Sequence, residues 1–579
     1  MGQAGSSFFW PGRDPEAPGA GKTLERARRQ FIRNVDNSGF NWLVFIVAAS
    51  GFFTDSYNLF ASNVVLPALE EVYWNGEEHE TTSLYFNLAT LVASAVGQLA
   101  FGYFADRYGR RSLYGVELMI VITSTVGMLQ CSNGFQLTEN GKPTEHTWNI
   151  DGWIFFWRVL MGIGIGAEYP LSACIAAEWS STEARGRMLA MVFFMQPLGQ
   201  LCVYGAGLTS LRIFGNSKVD IDKQWRYVVG IGTLPTLLAL GFRLFMPESG
   251  RYTYDVLRTV PHQNSEGHST AAPPNDSDAS TQVQNSENEN ETADQISLSG
   301  IRHFLFHEGY WRDLFGTSMC WLHLDFAFYG LGFSAPKMLR ILWSDATIDD
   351  PSSSPNDRFR TNMTNGIYTY PIAAILGSLA IIASIDWINR KHLLTFTFCL
   401  LAGVLAIAAG SFEKLSAQPS PHYILVVLWN LISFLFSAGP NTLTFIIPAE
   451  AFPTKFRCTL YGIAAAFGKL GAIFVQIVIL KTRIFRGDDN DQLTSKVQWL
   501  LGSFAVCMVL GALCSHFFIP KVQRRSMSEG TREGWLCGVR TVPLYVNIPL
   551  QELPQPLHTR GGRPATMVGE ELQTITDSQ

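Results

Sequence analysis

Five ionisable residues fall inside stretches that are otherwise apolar: Asp55, Glu117, Glu168, Asp325 and Lys469. A charge placed in a bilayer costs about 2.5–3.5 kcal/mol on insertion scales, so each of them marks function by default. Trp321, Asp325 and Tyr329 are spaced i, i+4, i+8 and share one helix face. One acid between two aromatic polar tips suits a small oxyanion that itself carries protons. An ionised Asp would repel such an anion, and a protonated one would donate a hydrogen bond to it. Burial disfavours the charged form of a carboxyl, which would link proton uptake to anion uptake. The alternative is a packing face with a satisfied Asp. Lys469 lies in Ala464-Ala-Ala-Phe-Gly468-Lys469-Leu-Gly471, where small residues let the helix pack closely while the ammonium faces a cavity. It reads as the sole mid-span cation. That suggests an anion site, a permanent salt bridge to Asp325 or Asp55, or a pair that opens when substrate binds.

The other acids are less specific. Asp55 lies in Gly51-Phe-Phe-Thr54-Asp55-Ser56-Tyr57-Asn58. Glu168 and Tyr169 follow Gly162-x-Gly164-x-Gly166, with no strand before the glycines, which argues against a nucleotide loop. Pro170 breaks the backbone ladder beside the acid. Glu117 either relays protons or snorkels to an interface. His323 is offset by two residues from Asp325 and points to another helix side, where it packs or lines a path. No nucleophile, base and orienting group cluster, so an enzyme is not expected, and neither is a metal or cofactor. The nine Cys are dispersed without a CxxC pair, and most read as small buried hydrophobes.

These residues need elements to hold them. The chain has 579 residues, 47% hydrophobic and 16% charged, against about 25% charged in soluble domains. About twelve runs reach the roughly 20 apolar residues that cross a membrane. They fall near 41–66, 84–104, 112–130, 153–177, 187–210, 226–246, 314–334, 365–386, 393–412, 422–449, 458–480 and 497–519. A net charge of -5 gives no reason to expect nucleic acid as a partner. Arg26, Arg28, Arg29 and Arg33 precede the first run with no apolar segment upstream, so no signal peptide is expected. Basic residues recur in alternate loops, among them Arg107, Arg110, Arg185, Arg390 and Arg457, while residues 70–83 have none. That balance places both termini in the cytosol, despite Lys218, Arg358, Lys481 and Arg483 on the other side. The expected fold is an all-α membrane protein of twelve helices in two halves of six. The expected divisions are a cytosolic segment 1–35, a first half 36–247, a largely disordered cytosolic loop 248–312, a second half 313–520 and a disordered cytosolic tail 521–579. Residues 259–300 are rich in Ser, Asn and Glu and contain no Lys or Arg, which suits disorder. Asn362-Met363-Thr364 is a glycosylation sequon on the expected outer side. The sequons at Asn275 and Asn290 fall in the cytosolic loop and are expected to be inert.

Gly102-x-x-x-Asp106-Arg107-x-Gly109-Arg110-Arg111 follows the second run, and Asp386-Trp-Ile-Asn-Arg390-Lys391 follows the eighth as a weaker copy. Two halves sharing a loop motif indicate duplication, and such transporters bind substrate near the midplane between the halves. The first motif resembles the inter-helix signature of the major facilitator superfamily. So do Pro247-Glu248-Ser249-Gly250-Arg251-Tyr252 and Pro448-Ala-Glu450-Ala-Phe-Pro-Thr-Lys-Phe-Arg457. The resemblance implies cytosolic ion pairs that close the inward side, formed by Asp106, Arg107, Glu178, Arg185, Glu248, Arg251, Glu450 and Arg457, with Gly102 and Arg110 in the same motif.

The match narrows to the phosphate:proton symporters of fungi and plants. Gly166-Ala-Glu168-Tyr169-Pro170-Leu-Ser-Ala173 is similar to their fourth span, and Trp321-x-x-x-Asp325-x-x-x-Tyr329-Gly330 to their seventh. Gly439-Pro440-Asn441-Thr442-x-Thr444-Phe445 is similar to their tenth, and Gly468-Lys469-Leu470-Gly471 to their eleventh. The resemblance covers nearly all the spans and implies a phosphate site at Tyr169, Gln196, Trp321, Asp325, Tyr329, Asn441 and Lys469. It implies a proton route through Asp55, Glu117 and Glu168. Two positions depart, since the family usually has Asp where this chain has Asn58 and Glu168. The implied activity is import of dihydrogen phosphate with protons, across the plasma membrane. A carrier of glycerophosphodiesters or other organic anions, and a phosphate-sensing receptor, are the other readings.

Overall fold

The computed structural model describes residues 24–37, 39–74, 80–139, 142–181, 183–244, 246, 248–253, 298–343, 353–416, 422–482, 484 and 490–520. Eleven helices among them are long and apolar enough to cross a membrane: Trp42–Tyr73, Thr82–Tyr108, Arg110–Leu129, Ile150–Trp179, Arg185–Ile213, Lys218–Leu244, Pro355–Ser384, Arg390–Ser416, Tyr423–Ala451, Arg457–Thr482 and Leu493–Phe518. They correspond to spans one to six and eight to twelve. Span seven is the helix Trp311–Phe333, whose 23 residues extend about 35 Å at 1.5 Å per residue. Thr317, Ser318, His323 and Asp325 lower its apolarity, and they belong to a helix packed among other helices.

Several spans start earlier than hydropathy suggests. Ser354 and Ser217 cap spans eight and six by accepting from the backbone N–H of Asp357 and Asp220, each at 3.2 Å. Such caps stabilise a polar first turn that an apolar window does not detect. The sequon residue Asn362 therefore sits inside the helix Pro355–Thr369, half-buried, with its amide oxygen buried and without a partner among the described residues. The sequon thus lies in a helix rather than in the surface loop usual for a glycosylation acceptor.

A short antiparallel hairpin, Gln136–Glu139 with Lys142–His146, decorates the loop between spans three and four of the helical fold. Cys202 and Cys399 are exposed rather than buried. The expected central loop is ordered at its flanks, in the turn Gly250–Tyr252 and the helix Leu298–His307. Residues 254–297, with both loop sequons, and the tail 521–579 lie outside the described residues. Before span one, the helix Leu24–Asn37 buries Phe31, Ile32 and Val35, and Phe31 meets Trp179 edge-on at 6.1 Å.

The two halves repeat one packing scheme. Span one packs on five, two on four and three on six. In the second half seven packs on eleven, eight on ten and nine on twelve. The halves join through two with eleven and five with eight, which are related by the same exchange. Glycine permits the first junction, because a Cβ at Gly102 would stand 2.6 Å from the Cys458 carbonyl oxygen. Span ten breaks at Gly439 into Tyr423–Ala438 and Pro440–Ala451. Such a break at membrane depth is tolerated only where it is buried in protein or lines a cavity.

Candidate functional site

The seven residues expected to hold an anion converge at the junction of the halves, and all are buried. Lys469 of span eleven donates to the Tyr329 hydroxyl at 2.7 Å and to Asp325 Oδ2 at 3.4 Å. Its ammonium also lies 4.4 Å from the Tyr329 ring centre and 4.9 Å from that of Tyr169, within cation–π range. The Tyr169 ring also stands beside that of Trp321, with ring centres 6.4 Å apart. Gly468 lets span eleven approach, since a Cβ there would stand 2.6 Å from Trp321 Cδ1 and 2.9 Å from Asp325 Oδ2. Across the junction, the Asn441 amide donates to Gln196 Oε1 at 2.8 Å. Asn441 stands in the first turn of the second half of span ten, where the helix end is electropositive. One cation, two phenols and an indole beside one carboxyl, with an amide pair across the same junction of the halves, can recognise a small tetrahedral oxyanion that shares a proton with that carboxyl.

An aromatic layer lies beside this group, toward the loops that carry the charged motifs. Phe52, Phe193 and Phe445 stand with ring centres 5.1–5.4 Å apart, and Phe445 also meets Tyr461 at 6.0 Å. These rings come from spans one, five, ten and eleven, so both halves contribute.

Beyond that layer the motif loops interlock. Arg110 pairs with Asp106 at 3.0 Å and Glu178 at 3.2 Å, and donates to the Thr454 carbonyl of the other half at 2.6 Å. Asp106 accepts from the backbone N–H and the hydroxyl of Thr459, both at 2.7 Å. In the second half, Arg390 pairs with Glu450 at 2.6 Å as Arg110 does with Glu178. Arg457 crosses to Glu178 at 3.4 Å, and Arg185 lies within electrostatic reach of Glu450. Arg187 and Asp386 add a 2.6 Å pair between the halves. Arg107 differs from expectation. It is exposed and donates to the Tyr103 hydroxyl, and the buried pairing falls to Arg110. Glu248 accepts from the backbone N–H groups of Arg111 and Ser249, both at 3.0 Å, and burial pushes its carboxyl up against those donors. Arg251 is buried in the turn after it.

The opposite end is closed as well. Gln224 donates to Asn356 Oδ1 at 3.0 Å, Asn63 donates to the Gly332 carbonyl at 3.3 Å, and Arg358 pairs with Glu71 at 3.5 Å. Both faces shut around a central polar group describe an occluded state.

The three further acids form a second cluster in the first half, around a cation that the sequence reading passed over. Arg243, near the end of span six, donates to Glu168 through two nitrogens at 2.6 and 2.7 Å, and to Glu117. It lies flat on Tyr114, 3.8 Å from the ring centre. Glu117 does not snorkel. It is fully buried and accepts from the Gly115 backbone N–H at 2.7 Å. Asp55 is within electrostatic reach of Glu168, Arg243 and Glu117, yet neither of its carboxylate oxygens has a hydrogen-bond partner among the described residues. Lys469 is thus not the only cation buried among the spans. Arg243 and Arg158 are also buried, with Arg158 donating to Ser62 at 2.8 Å. A scan for every Arg inside an apolar run would have found both.

Comparison with known proteins fits this geometry. Residues 43–533 match the family model described as sugar (and other) transporter. The chain is 33% identical over 536 residues to the repressible high-affinity phosphate permease of Neurospora crassa, covering 88% of this chain and 90% of that one. It is 30% identical over 544 residues to the inorganic phosphate transporter PHO84 of Saccharomyces cerevisiae, covering 87% of each. In shape it is similar to the proton:xylose symporter XylE, with a TM-score of 0.63 at 18% identity over 84% of this chain and 97% of that one.

Proposed function

The chain belongs to the sugar (and other) transporter family of the major facilitator superfamily, and from that premise we propose that it imports inorganic phosphate together with protons. It is a multi-pass membrane protein and a transporter rather than an enzyme. The observation that carries the substrate reading is the Lys469–Tyr329–Asp325 group, in which a cation and a carboxyl face one buried site. Dihydrogen phosphate presents both acceptors for Lys469 and donors for an amide or carboxylate oxygen. Tyr169, Trp321, Gln196 and Asn441 complete its shell in this reading. Similarity to inorganic phosphate transporters over most of the chain supports phosphate over a glycerophosphodiester.

Protons enter this scheme through Asp55, Glu168 and Glu117, and through Asp325 at the substrate itself. Alternating access then breaks one closed face at a time. On the motif side this means separating Arg110, Arg457 and Arg187 from their partners in the other half. On the opposite side it means parting Gln224 from Asn356 and Arg358 from Glu71. The cytosolic placement of both termini and of the motif loops, and residence in the plasma membrane, belong to this proposal.

Uptake of radiolabelled phosphate in cells lacking their own phosphate carriers tests it. Saturable uptake that glycerophosphocholine does not compete supports phosphate as substrate. Surface-exposed protein with no phosphate flux, or flux competed fully by the diester, would overturn it.

A further inference from the structure

Three acids share one guanidinium in the first half, and they are held unequally. Glu117 is anchored twice, by Arg243 and by the Gly115 N–H at the start of its own helix, so it stays in place if Arg243 turns away. Glu168 has hydrogen bonds from Arg243 on both oxygens. Asp55 has none on either oxygen among the described residues, although it is buried in the same group. An ionised carboxylate left without a donor in a dry site is costly, so this arrangement suits Asp55 carrying a proton while Glu168 is ionised.

Gly51 sets the distance between these groups. It lies one turn before Asp55 on the same face of span one. A Cβ at position 51 would overlap Arg243 Nη2 and press on Glu168 Oε1. The bare backbone of span one therefore rests against the edge of the guanidinium, on the face that carries Asp55. Beneath the guanidinium, the Tyr114 ring offers a flat apolar bed on which it can turn without leaving the ring. The titratable groups that face Arg243 are Glu168 from span four, Glu117 and Tyr114 from the start of span three, and Asp55 from span one.

We infer that Arg243 is a positioning residue for the coupled proton: its guanidinium swings from Glu168 to Asp55 as a proton passes between those two carboxyls, over a seat that only glycine at position 51 leaves open. The proton leaves an Asp55 oxygen and binds a Glu168 oxygen. Arg243 keeps all its protons and moves its hydrogen bonds to the carboxylate that has become ionised, so the charge of the group is unchanged. Span one carries Asp55 and span six carries Arg243, so the swing changes how these two helices hold each other within the first half. The inference rests on the proton-coupled import proposed above.

The test uses the full-length protein in liposomes, with two readouts on each variant. One is phosphate exchange at equal pH on both sides, and the other is phosphate uptake driven by an imposed pH gradient. For Gly51→Ala the ratio of gradient-driven uptake to exchange falls at least about tenfold, while exchange stays within about threefold of wild type. For Arg243→Lys, which keeps the charge and loses the fork, the same ratio falls, and this variant carries the test if Gly51→Ala does not fold. A wild-type ratio in either folded variant, or exchange and gradient-driven uptake declining in parallel, would overturn the role of Arg243 and Gly51. Absence of phosphate exchange in the wild type would instead sink the phosphate-import reading itself.

Discussion

Lys469 meets Asp325 at 3.4 Å and the Tyr329 hydroxyl at 2.7 Å, so the phenol, rather than the carboxylate, holds the ammonium more tightly. A loose ion pair beside a tight neutral contact leaves Lys469 in place and its charge available to an incoming anion. A buried pair drawn tight would be costly to open, since breaking one by removing a partner costs about 3–5 kcal/mol.

Removing that phenol should therefore weaken substrate binding. A hydrogen bond to a charged group contributes about 1.5–3 kcal/mol. Tyr329→Phe is expected to raise KM for phosphate by roughly tenfold to a hundredfold, with a smaller change in the maximal rate. The concentration dependence of uptake checks this, and an unchanged KM would show that Lys469 is held by other means.

The Asn441–Gln196 bond joins span ten to span five across the junction. A double-mutant cycle with Asn441→Ala and Gln196→Ala should show an interaction of about 1 kcal/mol in phosphate binding. Strictly additive effects would separate the two side chains functionally.

Asp106 ties the motif loops of the two halves through Thr459 and the Cys458 backbone N–H. Asp106→Asn should loosen that face. Cys458, buried in the closed form, should then react with a thiol reagent several times faster than in wild type. Cys202 and Cys399 are exposed and are replaced in the background used. Equal rates in both proteins would argue that this face opens without parting Asp106 from Thr459.

Asn362→Gln should leave the electrophoretic mobility of the expressed protein unchanged, because the sequon lies within a helix rather than in a surface loop. A shift to lower mass in the variant would contradict that placement.

Much of the site was readable before any coordinates. Spacing put Trp321, Asp325 and Tyr329 on one face, and the structure gathers all three around Lys469. What spacing could not supply was contact between distant spans. Glu117 and Glu168 meet only because Arg243 stands between them, and Arg243 is close enough to the end of span six to pass for a boundary residue. The same limit applies to Arg110 and Arg107. Both belong to one motif, and only the turn after Tyr108, with Gly109 at φ 92, decides that Arg110 points inward. The first turns of span eight are polar and rely on the Ser354 cap, so hydropathy alone marks its start too late.

The most direct test of the account follows protons and phosphate together in liposomes holding the purified protein. With no pH gradient imposed, added phosphate should draw protons into the lumen on the same time course as the anion, and Asp325→Asn should abolish this proton entry. Phosphate that enters with no accompanying proton movement, or proton entry undiminished in Asp325→Asn, would contradict coupling through the Lys469–Asp325 site.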